Sequence, residues 1–82
     1  MSIQHHYLKT LTNYYQAVER GEKNFEVRFN DRGFNVFDIL HLQEFIPPST
    51  YTGRVVDKEI VYILDDPQYC KEGYVVLGLK NL

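Results

Sequence analysis

The 82-residue chain has no tryptophan, one methionine, one cysteine and three prolines. A single cysteine, Cys70, cannot close an internal disulfide, so a reducing, cytoplasmic setting with an inert Cys70 is expected. No apolar run approaches the ~18 residues of a membrane-spanning helix, and no basic stretch followed by an apolar one reads as a secretory leader. Neither a membrane nor a leader is therefore expected. No glycine-rich phosphate loop is present, since Gly73 and Gly78 lie at or within a strand-like run. His5, His6 and His41 lack the cysteine or carboxylate spacing of a metal site, so no metal and no other cofactor is expected. Near the terminus, His5 and His6 read as disordered or solvated, and His41 reads as a partnered, half-buried histidine.

Basic charge is also scarce. The net charge is -2, which argues against a broad phosphate-binding surface. Its distribution is uneven: residues 1–34 carry five Lys/Arg and four Asp/Glu (+1), and residues 35–82 carry four and seven (-3). Any basic site is therefore local and lies in the first half. Aromatics, by contrast, are plentiful, with seven Tyr and five Phe. They help fill the core of a chain that makes one domain and buries roughly 60–65% of its unfolded surface.

Residues 5–9, "HHYLK", read as extended or irregular. "TLTNYYQAVERG" reads as a helix, with Leu11, Tyr14, Tyr15 and Val18 on one face, Thr10 or Thr12 as N-cap and Gly21 as a left-handed stop. "NFEVRFN" alternates, so Phe25, Val27 and Phe29 are expected in the core and Glu26, Arg28 and Asn30 in solvent. "DRGFN" is a turn in which Asp31 bonds its own backbone. "DILHLQEFI" is a second strand, with Leu40 and Leu42 on one face and Ile39, His41, Gln43 and Phe45 on the other. "PPSTYTG" is a loop, "RVVDKEIVYIL" a long strand bent near Lys58, "DDPQYCKEG" a loop and "YVVLGLKNL" a central strand. A helix followed by four strands suggests an antiparallel sheet curled toward a small barrel, with a short extra strand from residues 5–8 or from a split of 53–64.

"GEKNFEVR" (residues 21–28) fits the pattern G-x-K-x-x-E-x-R. With the "NDR" turn, "YTGR" and the run from residue 6 to 79, the chain resembles the ASCH domains of the PUA-like superfamily. The likeness is to a small phage- and bacteria-associated branch described as RNA-binding or of unknown function. The resemblance implies an α+β, mainly β fold: a pseudo-barrel of antiparallel strands with one N-terminal helix packed at its mouth. It also implies a cleft between helix and barrel, lined by the signature residues and holding RNA or a nucleotide. One subgroup of that family is an amidohydrolase that removes an acyl group from a modified cytidine nucleoside, using a lysine, a threonine three residues later and a distant glutamate. Here Lys23 matches the lysine, Glu26 stands where the threonine would be, and Glu44, Glu59 and Glu72 are all open as the glutamate.

Glu26 and Arg28, two apart on a strand, can present a carboxylate and a guanidinium to one base edge, or else form a solvated ion pair worth ~0–1 kcal/mol. Lys23 can reach a phosphate, and with Glu26 would be the catalytic pair if the chain is an enzyme. Lys9 and Arg32 are placed at the barrel mouth and the cleft rim, Tyr51 is available to stack on a base, and Arg54 can meet a phosphate. The expected function is an RNA- or nucleotide-binding module. Two alternatives stand beside it: an amidohydrolase acting on an acylated cytidine, and a protein-interaction domain with a vestigial cleft. A monomer is expected.

Overall fold

A computed structural model describes residues 2–82. The order is β1 (His5–Leu11), α1 (Thr12–Glu19), β2 (Phe25–Phe29), β3 (Ile39–Ile46), β4 (Thr50–Leu64) and β5 (Tyr74–Asn81). The protein is mainly β, with one short helix against a curled five-stranded half-barrel sheet in the order β1-β3-β4-β5-β2. The antiparallel expectation holds for three pairings and fails for one, because β1 runs parallel to β3. A parallel neighbour needs a crossover, and α1 with β2 provides it. Residues 5–9, read as extended or irregular, are thus an edge strand.

The concave face carries the core: Leu8, Leu40, Leu42, Ile60, Val75, Leu77 and Leu79, closed by Val18 of the helix and Phe34 of the β2–β3 connection. The helix starts at Thr12 without a side-chain cap. Leu11 occupies the N-cap position, and Thr10, expected as a cap, lies in β1 with its hydroxyl donating to the Leu8 carbonyl at 3.3 Å. Its C-terminus stops as expected. Gly21 has φ 81°, its N–H bonds the Val18 carbonyl at 3.0 Å, and that of Glu22 bonds Ala17 at 2.9 Å. These two bonds make a Schellman ending. The amide of Lys23 also bonds Ala17, at 3.0 Å, so the helix end fixes where the lysine begins.

Several further expectations meet the structure here. "PPSTYTG" is not a loop throughout: the turn is confined to residues 47–49, and Thr50 to Gly53 already belong to β4. One register shift lies between Gln43 and Phe45, and the irregularity expected near Lys58 lies between Ile60 and Tyr62. The first of these turns Phe45 inward beside Glu44, so both are buried. His6 is neither disordered nor solvated. Its Nε2 lies 2.8 Å from Asp38 Oδ2, its ring meets Phe34 edge-on, and only 7% of the residue is exposed. In the "DRGFN" turn it is Asn30, not Asp31, whose side chain bonds the backbone, accepting from Gly33 and Phe34.

The largest reversal is in β2. Phe25, Val27 and Phe29 are exposed, and Glu26 is buried. The register decides this. Glu26 pairs with Leu77 and Arg28 with Val75, both on the inner face of β5, so the even positions of β2 turn inward. The odd positions join the outer face in three rows: Phe25–Gly78–Tyr62, Val27–Val76–Leu64 and Phe29–Tyr74.

Gly73 holds this register at the end of β2. Its carbonyl accepts from the Asn30 amide at 2.8 Å, its φ is 81°, and a Cβ there would come within 2.6 Å of the Phe29 ring. The exposed ring can swing aside, so the backbone term dominates. Gly73→Ala is expected to cost about 1–2 kcal/mol, read as a shift in the urea midpoint with unchanged slope.

Candidate functional site

β1 and β2 are the two edges of the sheet, and its curl brings them face to face. The Asn24 carbonyl accepts from the Leu79 amide at 2.9 Å, and the Asn30 amide donates to the Gly73 carbonyl at 2.8 Å. By alternation, Phe25, Val27 and Phe29 turn their backbone groups away from β5, toward β1. Two arginines span the seam. Arg28 Nη2 donates to the Lys9 carbonyl at 2.9 Å and lies 3.3 Å from Thr10 Oγ1, while Arg32 Nη1 donates to the Tyr7 carbonyl at 3.3 Å. Side chains thus satisfy β1 carbonyls that no strand reaches.

Beside Arg28 the seam widens into a cleft of about 570 Å³. One wall is Lys9, Thr10 and Leu11 of β1 with Tyr14 of α1; the other is Lys23 and residues 25–28. Glu26 forms its floor, with a side chain only 4% exposed. One carboxylate oxygen accepts from Arg28 Nη2 at 2.8 Å and Nε at 3.1 Å, and the other accepts from Lys23 Nζ. Lys23 Nζ also donates to the Phe25 carbonyl at 2.7 Å and sits 5.0 Å from the centre of the Phe25 ring and 5.6 Å from that of Tyr14. A buried carboxylate with a bidentate guanidinium and an ammonium has its charge compensated and its oxygens occupied.

The cleft therefore joins Lys9, Lys23, Glu26 and Arg28. The other expected site residues lie elsewhere. Arg32 crosses the seam beyond the cleft and pairs with Asp31 at 3.2 Å. Tyr51 is one ring removed: its ring packs edge-on against Phe45, over which Lys9 Nζ sits at 4.9 Å. Arg54 belongs to a separate network that ties the helix end to the sheet. It meets Glu19 at 2.6 Å and Glu44 at 3.7 Å, its guanidinium lies over the Tyr15 ring, and Thr52 Oγ1 donates to Glu44 at 2.7 Å. Burial first, and then the Glu19 carboxylate, push the Tyr15 phenol up from its ordinary value, so it stays neutral.

Sequence reasoning did not place Thr10, Leu11, Phe25 or Val27 at the site, and it put Tyr14 and Tyr15 on the apolar stripe with one hydroxyl able to reach the cleft. Tyr14 is half exposed and lines the cleft. The available signal was the density of charge on the polar face of residues 24–30, which marked that face as unusual without showing that it turns inward. His41 is half-buried and partnered, with Nδ1 2.6 Å from Asp57 and Nε2 2.8 Å from His5. Among the described residues no three His, Cys, Asp or Glu side chains are grouped to hold a metal ion, and no helix is long and apolar enough to cross a membrane.

Fold and cleft together define a small, mainly β domain with a charged cleft at the seam of a half-barrel. A family model described as "Domain of unknown function (DUF3850)" matches residues 5–79, and the chain belongs to that family. No curated protein matches it.

Proposed function

We propose that the protein is a PUA-like domain of the ASCH type whose cleft binds a nucleotide or a short single-stranded RNA segment. The observation that carries this reading is the convergence of Lys23, Glu26 and Arg28 on one cleft that also holds Lys9 and two aromatic walls. Three cations and one carboxylate give the cleft +2, while the whole chain is -2. A local positive site in an acidic protein suits a small anion better than a long phosphate backbone. Its volume falls in the ~300–1,000 Å³ range of small-molecule sites. The Tyr14 and Phe25 rings offer faces for a base, and Lys9 and Arg28 can meet a phosphate.

The geometry favours binding over amide hydrolysis. Both oxygens of Glu26 are taken by cations, and the Thr10 hydroxyl donates to a backbone carbonyl rather than to a base. Neither group is poised to activate a nucleophile.

Calorimetric titration with the four ribonucleoside monophosphates, their nucleosides and a short RNA tests the proposal. Monophosphates are expected to bind at least ten-fold more tightly than nucleosides. The RNA affinity should fall with salt no more steeply than a slope of about -2. Absence of heat with all three ligand classes contradicts the proposal.

A further inference from the structure

The outer face of β2, β5 and β4 is the least accounted-for surface of the molecule. Phe25, Val27, Phe29 and Tyr62 are 44%, 53%, 55% and 64% exposed, and Val76 lies between them. None of the three rows contains a charged residue. Monomeric proteins seldom leave an uncharged apolar face of this extent in water. We propose that it is the contact surface of a two-fold dimer, and that its occupant is the same face of a second copy.

Three observations select a second copy. The area is sufficient: with ~150–250 Å² per buried aromatic, the exposed apolar atoms amount to roughly 500 Å² on each chain. Two such faces with a polar rim reach the ~1,200–2,000 Å² of a stable interface. The charge also fits. Each chain is -2, the rows themselves carry no charged residue, and among the described residues the only charges over their rings are the ammonium groups of Lys23 at Phe25 and Lys71 at Tyr74, so no carboxylates of the two acidic molecules need meet across these rows. The arrangement suits a two-fold contact: Gly78 carries no side chain between Phe25 and Tyr62, and the exposed Tyr62 and Phe29 rings stand in the neighbouring positions. A two-fold axis seats a ring of each copy over Gly78 of the other. Phe25 also belongs to the cleft wall under Lys23, so the dimer contact holds that wall in place.

Sedimentation equilibrium of the native chain across a concentration series is the test, repeated on Tyr62→Lys and Phe29→Ser. Tyr69→Lys, at a 76% exposed loop position, is the control. Circular dichroism melts confirm that each variant folds. The native chain and the control are expected to be dimers with micromolar dissociation constants, and both face variants are expected to weaken association at least ten-fold. A native chain that stays monomeric up to about 1 mM overturns the proposal and leaves the face to another partner or to none. So does a dimer that both folded face variants leave intact. If either variant fails to fold, the native series and the other variant still decide.

Discussion

Glu26→Ala is expected to destabilise the fold by about 3 kcal/mol, a fall in melting temperature of roughly 12–24 °C for a domain of this size. The carboxylate is 4% exposed, and its two partners, Lys23 and Arg28, are only 16% and 24% exposed. Removing it leaves two cations facing each other in a narrow cleft. Replacing all three charges together behaves differently. Lys23→Met, Glu26→Leu and Arg28→Met in one chain removes the desolvation cost along with the attraction, and stability should return to within about 1 kcal/mol of native. The residual loss is the Arg28 bond to the Lys9 carbonyl and the Lys23 bond to the Phe25 carbonyl. Ligand binding should not return. A folded triple variant that no longer binds would separate the two roles: the triad as a whole adds little net stability, and its charges serve the proposed ligand. A triple variant as unstable as Glu26→Ala would make the triad structural.

The second large effect lies at the other end of the barrel. Asp38→Ala is expected to cost about 3 kcal/mol. The Asp38 carboxylate accepts from the Gln4 amide at 3.1 Å, the Asn35 amide at 3.0 Å and His6 Nε2 at 2.8 Å, and the His6 ring is buried with it. Burial alone would raise the Asp38 pKa, but the bonds from His6 and the two amides outweigh it and hold the carboxyl below its ordinary value. In acid, then, the unfolded chain takes up this proton before the folded one. The stabilisation from Asp38 is complete above the unfolded value near 3.9 and is lost as the pH falls through the lower folded value. Urea midpoints of native protein and Asp38→Asn should differ most at neutral pH and converge below about pH 4. A gap that does not close in acid would contradict the assignment.

Much of the architecture was legible because it is local. The helix followed from the spacing of Leu11, Tyr14, Tyr15 and Val18, of which only Tyr15 and Val18 are buried and Leu11 belongs to β1, and its end from Gly21, whose φ of 81° needs no side chain. The strands followed from alternation. Alternation, however, shows only that a strand has two faces. Which face of β2 is buried depends on its register with β5, some fifty residues later, and on a curl that turns the strand's polar side toward β1. Apolar Phe25 and Phe29 pointed inward by composition, and tertiary pairing reversed them. The β1–β3 pairing escaped for a similar reason: nothing in "HHYLK" specifies a parallel partner more than thirty residues away. At the site, Lys23, Glu26 and Arg28 were visible as a dense charge pattern, whereas Thr10 and Leu11 entered only when the seam brought β1 opposite β2. Arg54 left the expected set because Glu19, thirty-five residues earlier, captures it.

The proposed binding of a nucleotide in the cleft between β1, α1 and β2 is tested by a backbone-amide NMR titration with a ribonucleoside monophosphate. Saturable shifts are expected at residues 9–11, Tyr14 and residues 23–28, absent in Arg28→Ala and unchanged in Arg54→Ala. Shifts clustered at Glu19, Thr52 and Arg54, or no saturable shift at all, would contradict it.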